Sequence, residues 1–236
     1  MKNLKATLLS KQYVAADVCS FSFFANEGFD FIPGQYVILT VPGTAAVKRL
    51  YSFAGKSNSN NQFELLIKIV EGGVGTQYLK SLHVGDVVDV AGPAGLFRQQ
   101  QTPGRKIYMV TGTGYAPIRS FFLSSSQTDL SNQFLFWGMR TLDETYLLDE
   151  LYSLHKGGSL SFYYCLSRQS SFESIPAHLL QHYRTGHISD VWQAVLPEIA
   201  SDDEFYLCGS RTVVESLRTL LLSRSVPKER IIFEKY

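Results

Sequence analysis

The spacing of apolar residues changes once along this chain, near 98-RQQQTPGR-105, and that change limits the possible folds more than any motif does. Ahead of it come short runs rich in Val, Ile, Phe, Leu and Tyr: 18-VCSFSFF-24, 36-YVILTV-41, 63-FELLIKIV-70 and 86-DVVDVAG-92. Turn signals separate them at 33-PG-34, 42-PG-43, 57-SNSNN-61 and 92-GPAG-95, with one short helix expected over 76–82. About six strands at this spacing predict a small antiparallel β-barrel. After the change, strand-like runs at 106–111, 133–138, 159–166, 204–209 and 230–235 alternate with helical ones at 115–125, 143–155, 189–196 and 211–224. Asp143 is the expected N-cap of the second helix, and Ser189 with Asp190 the expected start of the third. Such alternation predicts an open parallel sheet with helices on both faces. The reading is therefore an N-terminal antiparallel β-barrel domain over 1–101 and an α/β parallel-sheet domain over 102–236, joined by a polar stretch broken at Pro103 and Gly104.

At 236 residues, 45% of them hydrophobic, the chain can bury two ordinary cores. A net charge of +1 argues against a broad footprint for nucleic acid or an anionic membrane. Its apolar runs fall short of the ~20 residues that span a bilayer, and the opening MKNLKATLLSKQ lacks the apolar core of a signal peptide. Cys19, Cys165 and Cys208 are too dispersed for a disulfide framework or a metal-cluster spacing, so a reducing cytoplasm is the expected location.

Three stretches carry chemistry. In 48-KRLYSFAG-55, Arg49 and Tyr51 lie two apart and share one strand face, with Ser52 next in line. That is either a surface strand with a polar face or a strip that docks a ligand with a charged part and a flat part. In 111-TGTGYAP-117, a strand runs through Gly112 and Gly114 into a helix, with Pro117 in its first turn. This can set backbone N–H groups and a helix N-terminus against a phosphate, or it can be a plain tight turn. The run 72-GGVGTQYL-79 is either another phosphate cradle, with Thr76 as a hydroxyl donor, or a flexible loop. Elsewhere, 178-HLLQH-182 has the i, i+4 spacing of helical metal ligands but no evident third ligand, so no metal is expected. The aromatic 134-FLFW-137 reads as sheet core, and Tyr163 and Tyr164 as strand packing.

Taken in order, these pieces, from 33-PGQYVIL-39 to Tyr236, resemble the ferredoxin–NADP reductase superfamily. The resemblance implies a barrel that binds FAD and a second domain that binds NADPH or NADH. Arg49, Leu50, Tyr51 and Ser52 match that family's flavin strand: the arginine for the pyrophosphate, the tyrosine against the ring, the serine near N5. Gly73, Val74, Gly75 and Thr76 match its flavin phosphate turn, the Thr76 hydroxyl included. Thr111, Gly112, Thr113, Gly114 and Pro117 match its coenzyme phosphate loop, and Cys208 and Gly209 the pair beside the nicotinamide. Ser167 and Arg168 stand where relatives hold a 2′-phosphate, and Tyr236 where several place an aromatic over the flavin. Ser52, Cys208 and Tyr236 are thus the residues implied at the reacting centre. The implied activity is hydride transfer from NAD(P)H to bound FAD, with electrons passed to a separate acceptor: a ferredoxin, a flavodoxin, an oxygenase component or a small molecule. A stand-alone flavin reductase and a non-catalytic flavin or NAD(P)H sensor are the alternatives.

Overall fold

In the computed structural model, residues 2–43, 47–57, 60–126, 130–157 and 160–236 are described. Part of the expected 57–61 turn and Ser159, at the start of one expected strand, lie outside them. The chain forms two compact units, one of Met1–Gln99 with Ala116–Ser124 and one of Gln100–Tyr115 with Ser125–Tyr236.

The first unit holds β1 (Lys2–Tyr13), β2 (Val18–Ala25), β3 (Tyr36–Val41), β4 (Val47–Ser52), β5 (Gln62–Lys68), α1 (Val74–Ser81) and β6 (Val87–Ala94). Its strands form one antiparallel sheet in the order β4-β3-β6-β1-β2-β5. The sheet curls until its ends meet, through a bridge between Phe53 and Leu65 and a hydrogen bond from Ala54 N to Glu64 O of 2.8 Å. Inward residues alternate with outward ones, as a one-sided sheet requires. Phe21, Phe23, Phe53 and Phe63 fill the interior at no more than 1% exposure, with Phe31 stacked on Phe53 at 4.1 Å. The sequence reading did not include β1. Its buried residues are Leu4, Ala6 and Leu8, one of them only an alanine, separated by polar positions and followed by a register shift between Leu8 and Ser10.

Helix α2 (Tyr115–Ser124) contributes all but its first residue to this unit. Ser120 Oγ donates to Gly55 O (2.8 Å), and Arg119 donates to Ala54 O (2.9 Å) and to Glu64 (2.7 Å). The Ser124 hydroxyl accepts from Ser57 N at 3.0 Å.

The second unit holds β7 (Lys106–Thr111), β8 (Gln133–Met139), α3 (Leu148–Lys156), β9 (Leu160–Leu166), β10 (Tyr183–Thr185), α4 (Ile188–Val195), β11 (Glu204–Gly209), α5 (Arg211–Ser223) and β12 (Ile231–Lys235). Its sheet is parallel throughout, in the order β10-β9-β8-β7-β11-β12. Every residue of β11 is buried, as both faces of a covered parallel sheet demand. Val191 and Trp192 of α4 and Val214, Leu217 and Leu221 of α5 pack on Ile107, Met109, Phe205 and Leu207. Successive strands run outward from β7 to β10, and the chain then returns to place β11 on the other side of β7. That reversal puts a topological switch between β7 and β11, where open α/β sheets bind ligands outside the carboxyl ends of their strands.

At the opposite, amino ends of the same two strands lies a buried ion pair. Lys106 Nζ meets Glu204 Oε2 at 2.6 Å, and Tyr206 Oη donates to the same oxygen at 2.7 Å. Thr102 hydrogen-bonds both members of the pair, so the polar linker is tied to the sheet edge. Burial acts to raise the Glu204 carboxyl, but hydrogen bonds from Lys106, Thr102 and Tyr206 outweigh it and hold the group below the usual carboxylate range.

Three helix starts differ from expectation, the first being α1, which begins at Val74 and not at residue 76. Asp143 is not an N-cap: residues Leu142–Glu144 make a single 3-10 turn, and α3 begins only at Leu148. Leu147 between them adopts a left-handed φ of 58°, which turns Tyr146 inward, where Tyr164 Oη donates to its carbonyl at 2.6 Å. Helix α4 is capped one residue earlier than expected, at His187, with Asp190 closing a reciprocal capping box. The segment Ala177–His182 is a 3-10 helix, in which i and i+4 side chains diverge. His182 instead stacks flat on Phe162 at 3.9 Å and donates through Nδ1 to Phe162 O. Among the described residues, no group of three or more His, Cys, Asp and Glu is placed to hold a metal ion.

Candidate functional site

In the first unit, pairing of β4 with β3 puts Ser52 opposite Tyr36 and Tyr51 opposite Val37. Tyr51 and Arg49 point to one face, and α1 opens against that face. A Cβ placed on Gly75 would come within 2.6 Å of Tyr51 Oη and 2.7 Å of Arg49 Cγ. Glycine lets the helix start approach the strand this closely without displacing either side chain. Arg49 is exposed, and its Nη1 donates to Lys48 O at 3.0 Å. Burial pushes the Tyr51 hydroxyl up, against the opposing effect of the Arg49 charge. Leu50 is 57% exposed, on the opposite strand face from Arg49 and Tyr51.

Gly73 is the N-cap of α1 and Val74 its first residue. The Thr76 hydroxyl serves the turn itself: its single O–H is shared between Val70 O (3.0 Å) and Gly73 O (3.1 Å), and its oxygen accepts from Val70 N (3.2 Å). No acidic residue stands in the first turn of α1, so the partial positive charge of the helix start is not offset. A strand with an arginine and an aromatic, against a glycine-opened helix start, suits a ligand that joins a phosphate to a flat ring. These residues fit FAD.

In the second unit, β7 and β11 end side by side at the switch point. Gly112 takes a left-handed φ of 50°, and Gly112–Gly114 form a 3-10 turn that leads into α2, whose first turn also lacks an acidic residue. A Cβ on Gly114 would fall 2.3 Å from Cys208 O, and one on Gly209 would fall 2.1 Å from Thr111 Oγ1. Gly114 is thus packed against the Cys208 backbone and Gly209 against the Thr111 side chain, which interlocks the two strand ends. Ser210 N also donates to Thr111 Oγ1, at 3.4 Å. Pro117 lies in the first turn of α2, as expected.

The Cys208 side chain is buried, at 2% exposure, and burial together with Glu234 pushes its thiol far up, so it stays protonated at neutral pH. Tyr236 follows β12 back to the same edge. Its N–H donates to Gly209 O (3.2 Å) and its hydroxyl to Thr111 O (3.0 Å). The residue is 65% exposed, but the hydroxyl end is enclosed by the turn, and that burial, with Cys208 nearby, pushes its pKa to about 12. Ser167 and Arg168 sit farther along the sheet, beyond the end of β9, where their N–H groups bond Met139 O and Arg140 O of the β8 end. The Arg168 side chain is exposed and makes no ion pair among the described residues. The turn, the Cys-Gly pair and the terminal tyrosine thus come together; Ser167 and Arg168 stand two strands away from β7.

Two further residues belong to this turn; sequence reasoning took Trp137 only as sheet core and did not single out Tyr146. Trp137 Nε1 donates to Gly112 O at 2.9 Å, and Tyr146 Oη donates to the same oxygen at 3.2 Å. The signal available was an aromatic at the last inward position of a strand next to a glycine; it reads equally as core.

Residues 5–99 match the oxidoreductase FAD-binding domain family, and residues 109–219 match the oxidoreductase NAD-binding domain family. Ferredoxin–NADP reductase B of Sorangium cellulosum is 30% identical over 249 residues, which span 98% of this chain and 97% of that protein. The reductase component of propane 2-monooxygenase from Rhodococcus jostii is 32% identical over 215 residues, 89% of this chain; the match spans 56% of that relative's length. Among solved structures, the Amycolatopsis cytochrome P450 reductase GcoB superposes with a TM-score of 0.85 at 28% identity, over 99% of this chain and 69% of that one. With both domain families matched in order, and a reductase of this kind matched along its whole length, the chain belongs to the ferredoxin–NADP reductase superfamily.

Proposed function

We propose that the protein takes a hydride from NAD(P)H onto bound FAD and passes the electrons to a separate acceptor protein or small molecule. The observation that carries this reading is the pair of glycine turns, each opening a helix and each packed so closely that a Cβ would clash. Bound FAD would supply the chemistry, accepting a hydride and releasing its electrons onward. The chain's residues would bind and orient. Arg49 would neutralise phosphate charge with a permanent cation and a fork of donors. Tyr51 would support the flat ring, and Ser52 would present a hydroxyl where proton demand changes. Gly73–Thr76 would offer backbone N–H groups to the flavin phosphates, and Thr111–Gly114 to the coenzyme phosphates. Cys208, protonated and buried, would act as a steric guide and not as a nucleophile. The exposed ring of Tyr236 is available to stack on a flat partner. The exposed Arg168 is the candidate contact for a 2′-phosphate, and a reductase working on either coenzyme fits the residues present.

The relatives support a separate acceptor, since several are named as reductase components of oxygenases or as ferredoxin reductases. No helix among the described residues is long and apolar enough to cross a membrane, and all three cysteines are free thiols, which supports a reducing cytoplasmic setting. The test is anaerobic mixing of the flavin-loaded protein with NADH or NADPH, following absorbance at about 450 nm, a property of the cofactor. Bleaching with at least one coenzyme is expected. A flavin-loaded protein that bleaches with neither overturns the reading.

A further inference from the structure

Three hydrogen-bond donors converge on the Gly112 carbonyl of the second turn. It accepts Trp137 Nε1, Tyr146 Oη and the backbone N–H of Tyr115. A trans peptide is planar, so its C=O and N–H point in opposite directions. Fixing Gly112 O against the aromatic cluster therefore fixes the Thr113 N–H away from it. Both side chains are themselves locked. Trp137 stacks on Tyr115 at 4.1 Å and meets Tyr146 edge to face at 4.7 Å. Tyr146 is held through its carbonyl by Tyr164, and the chain accepts a left-handed residue at Leu147 beside it.

Ordinary core packing does not account for this convergence. The other tryptophan, Trp192, is equally buried, and its Nε1 has no hydrogen-bond partner among the described residues. Burial alone does not bring an indole N–H to a carbonyl in this chain. At Gly112 two aromatic polar tips, from two different elements, meet on one turn carbonyl.

We propose that Trp137 and Tyr146 are positioning residues that clamp the Gly112 peptide, presenting the Thr113 N–H to a coenzyme phosphate and so setting coenzyme affinity. The inference rests on reading Thr111–Gly114 as the coenzyme turn. It assigns the pair to binding: neither touches the reacting atoms.

The test uses the flavin-loaded full chain with NADH and NADPH as probes, and measures the bleaching rate against coenzyme concentration. Trp137→Phe and Tyr146→Phe each remove one donor and keep an aromatic ring. Each is expected to raise the apparent coenzyme Kd about 2- to 13-fold, the range of one neutral hydrogen bond, and the double variant by about the product. Flavin content and the rate at saturating coenzyme should stay within about twofold, well below the effect of removing a donor to the reacting centre. Unchanged coenzyme affinity in the double variant overturns the proposal. So does a loss that only parallels falling flavin content and melting temperature, which is what a merely structural role would give. If Trp137→Phe does not fold, Tyr146→Phe alone decides, because it removes a single oxygen. Gly112→Ala separates the two readings: its Cβ would meet nothing inside the protein nearer than Tyr236 Oη at 4.0 Å, although the left-handed φ adds strain. If Gly112→Ala leaves coenzyme affinity unchanged, the coenzyme-turn reading fails and the clamp with it. If it weakens affinity while the aromatic variants do not, only the clamp fails.

Discussion

The turn at Gly73–Thr76 is held from close by in sequence: Thr76 bonds Val70 and Gly73, six and three residues away, and Gln77 Nε2 bonds Val70 O, seven away. The turn at Thr111–Gly114 is held from far off, by Trp137, Tyr146 and Tyr236, which lie 25, 34 and 125 residues from their partners. Both turns open a helix whose first turn carries no acidic residue. The first is an almost self-sufficient local motif; the second exists only once the parallel sheet has formed. Damage to the sheet should therefore disturb the second turn and spare the first.

The largest break in this symmetry is expected from Lys106→Met, at the amino ends of the strands whose carboxyl ends carry the second turn. It leaves Glu204 buried without its cation, at a cost of about 3–5 kcal/mol. Coenzyme affinity should fall with stability, while the first turn keeps its local bonds. The pH dependence has a definite sign. The Glu204 pKa is depressed in the folded wild type, so its contribution is present above the ordinary glutamate value of about 4.3 and is lost as the pH falls through the lower folded value. In the variant the unpaired carboxyl is relieved by protonation. Melting temperatures of the two proteins should converge in acid; a constant gap from pH 7 to pH 4 would contradict the pairing.

Next in size is a matched pair of alanine substitutions. The added Cβ of Gly114→Ala would meet backbone, Cys208 O at 2.3 Å and Cys208 C at 2.6 Å, which cannot rotate aside. A loss of about 1–3 kcal/mol is expected, with coenzyme binding abolished. The Cβ of Gly75→Ala would meet the Tyr51 and Arg49 side chains, which can move. Its stability loss should be smaller, and its effect should appear as weaker flavin retention. Equal melting-temperature losses, or exchanged ligand effects, would erase the contrast between the turns.

Smallest is Thr76→Val, which removes a hydroxyl that donates locally to Val70 O or Gly73 O and accepts from Val70 N. About 1 kcal/mol is expected, typical of a lost cap, with reduced flavin retention and unchanged coenzyme affinity. A drop in coenzyme affinity measured on the same flavin-loaded sample would show the two turns to be less separate than their bonding suggests.

The same contrast explains what the sequence made legible. Strands such as Tyr36–Val41 and Lys106–Thr111 declare themselves through dense β-branched and aromatic runs, and the glycine turns through residue types that few other conformations require. Strand β1 did not, because its core contacts come from Leu4, Ala6 and Leu8 among lysines and polar residues. The α3 start misled because Asp is a favoured N-cap residue type, and tertiary demand on Tyr146 overrode that preference at Asp143. The Trp137 and Tyr146 contacts to Gly112 were invisible for the reason that makes the second turn distinctive: which carbonyl a buried ring's polar tip reaches depends on pairings across β7, β8 and β9.

Helix α2 bears on how such a chain could be recombined. Its residues Ala116–Ser124 belong with the barrel unit, although they follow the Thr111–Gly114 turn of the second unit in sequence. The chain therefore passes between units three times, at 99/100, 115/116 and 124/125, where a bead-on-string arrangement would need one crossing. A chimera spliced at the polar linker would import a foreign helix onto the host barrel, where Gly55 O, Ala54 O and Glu64 expect Ser120 and Arg119. A splice that keeps the nine-residue segment with its own barrel must therefore cut after Ser124 and not at the polar linker.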